Sequence, residues 1–176
     1  MSGSHPARNP QIFSDLIEYK RNVFRICLGF SRNPFDAEEL TQEVYLKAFK
    51  KIGTLKNPKN PRSWLFKIAK NTCLDNLRKT QGVQLTSFDA GNEPEDTQTP
   101  EYLVLRDEQF RMFKEAVNRL PRKLLTVFIL REYGQLSYVE IAAVSGTKKG
   151  TVMSRLNRAR AALLSIYREI SDGKKE

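Results

Sequence analysis

Apolar residues recur along the chain at three- and four-residue intervals, the spacing that gathers them on one side of a helix. From Ile12 to Gly29 such a stripe runs through Phe13, Ile17, Phe24 and Leu28, and Asn33-Pro34 interrupts it. Leu40, Val44, Ala48 and Ile52 mark a helix over Asp36–Ile52. Trp64, Ile68 and Thr72, alongside Leu65, Ala69 and Cys73, mark another over Ser63–Lys79. The Asn-Pro pairs between Gly53 and Pro61 read as a loop. No segment alternates apolar and polar positions as a half-buried strand does, so the fold class is all-α.

The pattern lapses between Gln81 and Arg106. Asp89, Glu93, Glu95, Asp96 and Glu101 fall there against a single base, Arg106, with Gly82, Gly91, Pro94 and Pro100 among them. Such a stretch is too polar to bury a core and reads as a flexible linker. It divides the chain into two small helical domains, 11–80 and 107–170, behind a disordered N-terminal tail, 1–10. Periodicity resumes with Phe110, Phe113, Val117 and Leu120, stops at Pro121, and continues from Arg122 to Tyr133 before Gly134.

The most specific local signal follows. Ser137 with Glu140 is a capping box, in which the hydroxyl accepts from a backbone N–H and the carboxylate reaches back to another. Ser145-Gly146 supplies a turn, glycine tolerating the left-handed backbone, and Thr147 is placed to cap the next helix. That helix turns Val152, Leu156, Ala159 and Leu163 to one side and Thr147, Thr151, Ser154, Asn157 and Arg158 to the other. Lys148, Lys149, Arg155 and Arg160 flank the polar face, and no acid occurs from Gly146 to Ser165. A short capped helix, a glycine turn and a long basic helix make a helix-turn-helix that binds duplex DNA. Short polar side chains and an arginine reach base edges while flanking cations neutralise phosphates.

Composition supports that reading. The chain of 176 residues carries 30 Lys+Arg against 20 Asp+Glu, a net charge of +10, which favours a polyanionic partner. No apolar run approaches the ~20 residues of a membrane span. Met1–Pro10 has no apolar core of the signal-peptide kind. A cytoplasmic protein without stable membrane insertion is expected. Cys27 and Cys73 lack metal-ligand spacing and read as small core hydrophobes, with redox sensing or a disulfide as the alternative. One histidine, His5, and no carboxylate pair, phosphate loop or metal cluster leave no catalytic, cofactor or metal site.

Two faces of the N-terminal half stand out. Asp36, Glu39, Gln42 and Glu43 line up beside an apolar stripe, which suits a basic protein surface and equally suits a solvated face favouring the helix dipole. Arg62, Lys67, Lys70, Arg78 and Lys79 surround Trp64, Phe66 and Asn71. Bases interleaved with aromatics suit unpaired nucleic acid, although Trp64, Leu65 and Ile68 also fit a core.

In combination these segments resemble a known family. Asp36-Ala-Glu-Glu-Leu-Thr-Gln-Glu-Val-Tyr-Leu-Lys-Ala-Phe49 is similar to the core-binding helix of bacterial sigma factors. Trp64-Leu-Phe-Lys-Ile-Ala-Lys-Asn-Thr72, with Asp75 and Arg78, resembles the helix that reads the −10 promoter element. Leu120-Pro-Arg122 and Gly150-Thr-Val-Met-Ser-Arg-Leu-Asn-Arg-Ala-Arg160 resemble the domain that reads the −35 element. The ordered set, with a linker between, resembles the extracytoplasmic-function (ECF) sigma factors of the sigma-70 family over about 150 of the 176 residues.

The resemblance implies a protein that binds core RNA polymerase and directs promoter-specific initiation without catalysis of its own. Asp36, Glu39, Gln42 and Glu43 would face the β′ subunit, within a core that includes β. Lys67, Asn71 and Arg78 would lie along the −10 DNA, where the loop at Gly53–Pro61 captures a flipped base. Ser154 and Arg158 match positions that approach −35 bases. Thr151, Arg155 and Asn157 complete that surface, and Met153 stands where some relatives have arginine. The family is commonly held inactive by an anti-sigma factor. The acidic linker would run through the polymerase's RNA exit path. The alternative is a free-standing helix-turn-helix regulator whose N-terminal helices dimerise or sense a ligand.

Overall fold

The computed structural model describes residues 10–57, 61–80 and 100–173, and these contain helices and no strand. The N-terminal domain holds α1 (Pro10–Ile17), α2 (Lys20–Ser31), α3 (Pro34–Lys51) and α4 (Arg62–Thr80), with a 3-10 turn at Ile52–Thr54. The C-terminal domain holds α5 (Pro100–Asn118), α6 (Arg122–Glu132), α7 (Tyr138–Ser145) and α8 (Lys149–Asp172). The tail through residue 9, residues 58–60 of the loop and residues 81–99 of the acidic linker lie outside the described residues.

The stripe expected to be one helix over Ile12–Gly29 is two. Helix α1 ends at Ile17, and the Tyr19 N–H turns back to the Leu16 carbonyl at 3.2 Å. The Tyr45 hydroxyl on α3 donates to that same carbonyl at 2.7 Å, giving it a second partner and tying the helix end to α3. Burial pushes the Tyr45 phenol up to about 12, so it remains a donor at any physiological pH. The break also shifts the apolar phase. Leu16 is fully buried whereas Ile17 is 52% exposed. Helix α2 then closes on Arg32 in the left-handed conformation (φ 57°), and the Asn33 side chain caps α3 by accepting from Phe35 N–H at 2.8 Å. Leu40, Val44 and Ala48 are buried as the periodicity requires, and Leu65, Phe66, Ala69 and Cys73 of α4 meet them.

Residues 100–106, assigned by composition to the linker, are helical and belong to α5. In the C-terminal domain Leu125–Leu130 of α6 is buried on every side, so this short helix is the domain's centre. The capping box on α7 forms as expected, with Ser137 N–H to Glu140 Oε2 at 2.8 Å and Glu140 N–H to Ser137 Oγ at 3.3 Å. Gly146 is left-handed (φ 64°), where a β-carbon is disfavoured. Thr147 does not cap α8: the cap position is Lys148, with no side-chain bond. The Thr147 N–H is drawn back to the Ala142 carbonyl at 3.0 Å, so this residue closes α7.

The two domains are docked through one continuous core. Arg62 at the start of α4 pairs with Glu140 at 2.9 Å, and the Lys70 ammonium donates to the Val144 carbonyl near the end of α7 at 3.2 Å. Asn22 Nδ2 donates to the Gly134 carbonyl at 3.3 Å. Gly29 faces α6 so closely that an added β-carbon would sit 2.7 Å from Ile129 Cγ2 and 2.9 Å from Tyr133 Cγ.

Two consequences are measurable. In an exposed helix interior Gly→Ala stabilises by about 1 kcal/mol. At Gly29 the sign should reverse, with overpacking costing about 1–3 kcal/mol and lowering the melting temperature; a raised one would mean that α2 and α6 are not in contact. Glu140 gives the second. Burial pushes its carboxyl up, but the Ser137 N–H, the Ser137 hydroxyl and Arg62 together outweigh burial and leave it below 4.5. Stability from a depressed carboxyl is present above the unfolded value and lost as pH falls through the folded one. Wild type should therefore exceed Glu140→Gln in urea stability by up to about 1 kcal/mol at neutral pH, and the gap should close below pH 4.5.

Candidate functional site

Three exposed surfaces among the described residues carry the side chains that the sequence singles out. The first lies on α3. Asp36, Glu39 and Gln42 are exposed, and Asp36 sits in the first turn, where a negative charge favours the helix dipole. Glu43 differs from them: it is half-buried and its carboxylate pairs with Lys47 at 2.7 Å. Lys47 also donates to the Thr72 hydroxyl of α4 at 3.3 Å, so Glu43 belongs to a network joining two helices.

Three apolar residues that lie off the buried stripe share the α3 surface. Phe35 is 80% exposed, Leu46 61% and Phe49 44%. The series Phe35, Glu39, Gln42, Leu46, Phe49 steps by four, three, four and three, the rhythm of a coiled-coil seam. A solvated face has no use for three large apolar side chains in register, whereas a helical partner does. The spacing was present in the sequence. It was hidden because α3 carries a second apolar stripe, Leu40–Val44–Ala48, that accounted for the core.

The second surface lies on α4. Lys67, Asn71 and Arg78 are exposed and fall within an arc of about 40° at 3.6 residues per turn. Arg78 bonds Asp75 at 2.9 Å on the same exposed side. An open groove between α3 and α4 is lined by Glu43, Lys47, Asp75, Arg78 and Lys79, with Thr72 and Asn76. Trp64 is half-buried, and its indole N–H donates to the Thr54 hydroxyl at 3.4 Å, tying the start of α4 to the turn that opens the loop. It therefore serves both packing and loop position. Lys70, read only as one of several bases, instead faces α7, and burial lowers its ammonium's pKa.

The third surface is the outer face of α8. Val152, Leu156 and Ala159 are buried, which fixes the helix's rotation, while Ser154, Asn157 and Arg158 are exposed and Thr151 and Arg155 half-buried. The Ser154 hydroxyl donates to the Thr151 carbonyl at 3.0 Å, so it offers lone pairs rather than a proton. Arg160 is turned to Glu132 at 3.2 Å, away from the polar face. Met153 is 45% exposed beside these groups.

Sequence comparison places both domains in known families. Residues 16–83 match sigma-70 region 2 and residues 110–163 match sigma-70 region 4. The chain is 30% identical to the RNA polymerase sigma-H factor of Pseudomonas aeruginosa over 157 residues, covering 84% of this chain and 81% of that protein. It is 29% identical to the ECF RNA polymerase sigma factor SigW of Bacillus subtilis over 168 residues, 90% of each. Among solved structures, it is similar to the sigma factor RpoE of Bartonella quintana in complex with the anti-sigma factor NepR. The TM-score there is 0.64 at 25% identity, covering 88% of this chain and 95% of that one. Against this, a free-standing regulator does not account for the N-terminal domain. With region 2 and region 4 in order along one helical chain, the protein belongs to the ECF sigma factors of the sigma-70 family, non-enzymatic subunits that direct RNA polymerase to promoters.

Proposed function

We propose that α3 is the polymerase-binding surface, that α4 and the loop before it engage the −10 element, and that α8 reads the −35 element. In this reading residues 11–80 are the region-two unit, 107–170 the region-four unit, and the acidic stretch, 81–106 by composition and shortened at its end by α5, joins them. The observation that carries it is the exposed seam Phe35–Glu39–Gln42–Leu46–Phe49, apolar and acidic in one register. Asp36 and Glu39 attract a basic surface and repel DNA phosphates, and the apolar members supply contact area. Glu43 contributes through Lys47, holding the cation that braces α4.

On α4, Lys67 and Arg78 would meet phosphates of the −10 strand, with Asn71 between them able to bond a base edge. Unpairing costs a few kcal/mol per extruded base, which protein contacts offset. On α8, Thr151, Ser154, Asn157 and Arg158 would face base edges, with Arg155 at the flank for phosphate. Simultaneous reading of both elements requires the domains to part. About 25 base pairs at about 3.4 Å each separate the elements by about 85 Å. A docked chain of this length measures about 40 Å across.

By likeness to the Bartonella quintana complex, an anti-sigma factor would hold this chain inactive. The protein would work in the cytoplasm with core polymerase. Among the described residues, no helix is long and apolar enough to cross a membrane.

Run-off transcription with purified core polymerase tests the reading. The wild type should start at a specific promoter with no other activator, and Glu39→Lys should lower yield at least tenfold while duplex binding by region four is kept. Binding of promoter DNA without any activation of core would refute it. For Arg158→Ala, binding should fall by about 1–3 kcal/mol at one base position of the −35 element. A loss equal across all sequences would reassign Arg158 to phosphate.

A further inference from the structure

Cys27 on α2 and Cys73 on α4 lie 46 positions apart in sequence, yet their sulfurs are 3.7 Å apart in the N-terminal core. Both thiols are free and both are buried. The contact gives each buried sulfur the other as a reaction partner. We propose that Cys27 and Cys73 are a redox-active dithiol, oxidised by hydroperoxide to an intramolecular disulfide that staples α2 to α4.

The pair is asymmetric in the way such chemistry needs. The Cys73 S–H donates to the Cys27 sulfur. That bond lowers the pKa of Cys27, while the same bond and burial raise that of Cys73. Cys27 is therefore the nucleophile and Cys73 the resolving thiol. The Cys27 thiolate attacks the O–O bond of the hydroperoxide, leaving as products an alcohol (water, for hydrogen peroxide) and a Cys27 sulfenic acid. The Cys73 sulfur then attacks the Cys27 sulfur, the S–S bond forms and the S–O bond breaks. The departing hydroxide takes the Cys73 proton and leaves as water. Two thiols and one hydroperoxide thus yield one disulfide, one alcohol and one water, with two electrons passing to the peroxide. Closing the gap takes the sulfurs from 3.7 Å to the ~2.05 Å of an S–S bond. Because both thiols are buried, the reaction proceeds through local opening of the domain and is slow beside that of an exposed thiol.

The staple falls beneath the seat of the C-terminal domain. Ile26, next to Cys27, packs toward Gly134, where a β-carbon would lie 3.0 Å from Ile26 Cγ1. Lys70, one turn before Cys73, holds the Val144 carbonyl. The disulfide therefore ties together the two helices that carry region four.

The test uses the full chain, reduced and then treated with hydrogen peroxide under native conditions. After quenching, unfolding and treatment with N-ethylmaleimide, the intact mass should show two hydrogens lost and no maleimide added. Dithiothreitol should restore two maleimide adducts. The oxidised protein should melt several degrees above the reduced one, because the cross-link restricts the unfolded chain. Cys73→Ser should stop at a Cys27 sulfenic acid that dimedone traps, and Cys27→Ser should leave Cys73 unreacted. Should these variants fail to fold, Cys73→Ala and Cys27→Ala serve for the same readouts, and the wild-type mass measurement stands without any variant. Two maleimide adducts after prolonged native oxidation would overturn the proposal. So would a disulfide between chains, or a lowered melting temperature.

Discussion

Helix α4 packs on two neighbours and keeps a third face in solvent, and the rest of the molecule is arranged around that demand. Successive residues rotate by about 100°, so a helix can present distinct faces. Leu65, Ala69, Thr72 and Cys73 enter the N-terminal core. Arg62 and Lys70 turn to the C-terminal domain, taking Glu140 and the Val144 carbonyl as partners. Lys67, Asn71 and Arg78 remain in solvent. Rotating the helix to improve one face would spoil the other two. Its register is held by packing on one side and by ionic contacts on another, and the basic outer face is positioned as a consequence.

The C-terminal domain follows a related logic with different means. The central residues Leu125–Leu130 of α6 are buried, and α7 and α8 pack on this helix and on each other. The capping box starts α7 at a defined residue, and the left-handed Gly146 ends it. Burial of Val152, Leu156 and Ala159 then fixes which side of α8 faces outward. The polar face is thus set by what lies opposite to it. The outer faces of α4 and α8 both stay exposed while the domains are docked. The docked contact combines a shared apolar core with the Arg62–Glu140 ion pair and the close approach of Gly29 to α6.

Residues with local causes were legible. The capping box needed only Ser137 and Glu140 three positions apart, and the turn needed only a glycine. The buried positions of α3 followed from a four-residue repeat. Errors arose where a partner distant in sequence intervened. The stripe through Ile17 looked continuous because nothing local shows that Tyr45 will take the Leu16 carbonyl. Thr147 has the chemistry of a cap, yet its N–H was claimed by the helix before it. Helix α5 begins inside a stretch whose acids and prolines marked it as linker. The exposed seam of Phe35, Leu46 and Phe49 was masked by the second apolar stripe on the same helix, which accounts for the core.

Sequence alone determined the helical class, the two-domain division, the helix-turn-helix and, through ordered motifs, the family. Those properties depend on spacing within short windows, and backbone geometry converts spacing directly into faces. Only the tertiary structure decided that Lys70 faces α7 while Lys67 stays free, that Glu43 braces Lys47, and that Cys27 and Cys73 touch. Each depends on the relative rotation and approach of helices far apart along the chain. Those are set by the packing of all the side chains between them, and no local pattern encodes them.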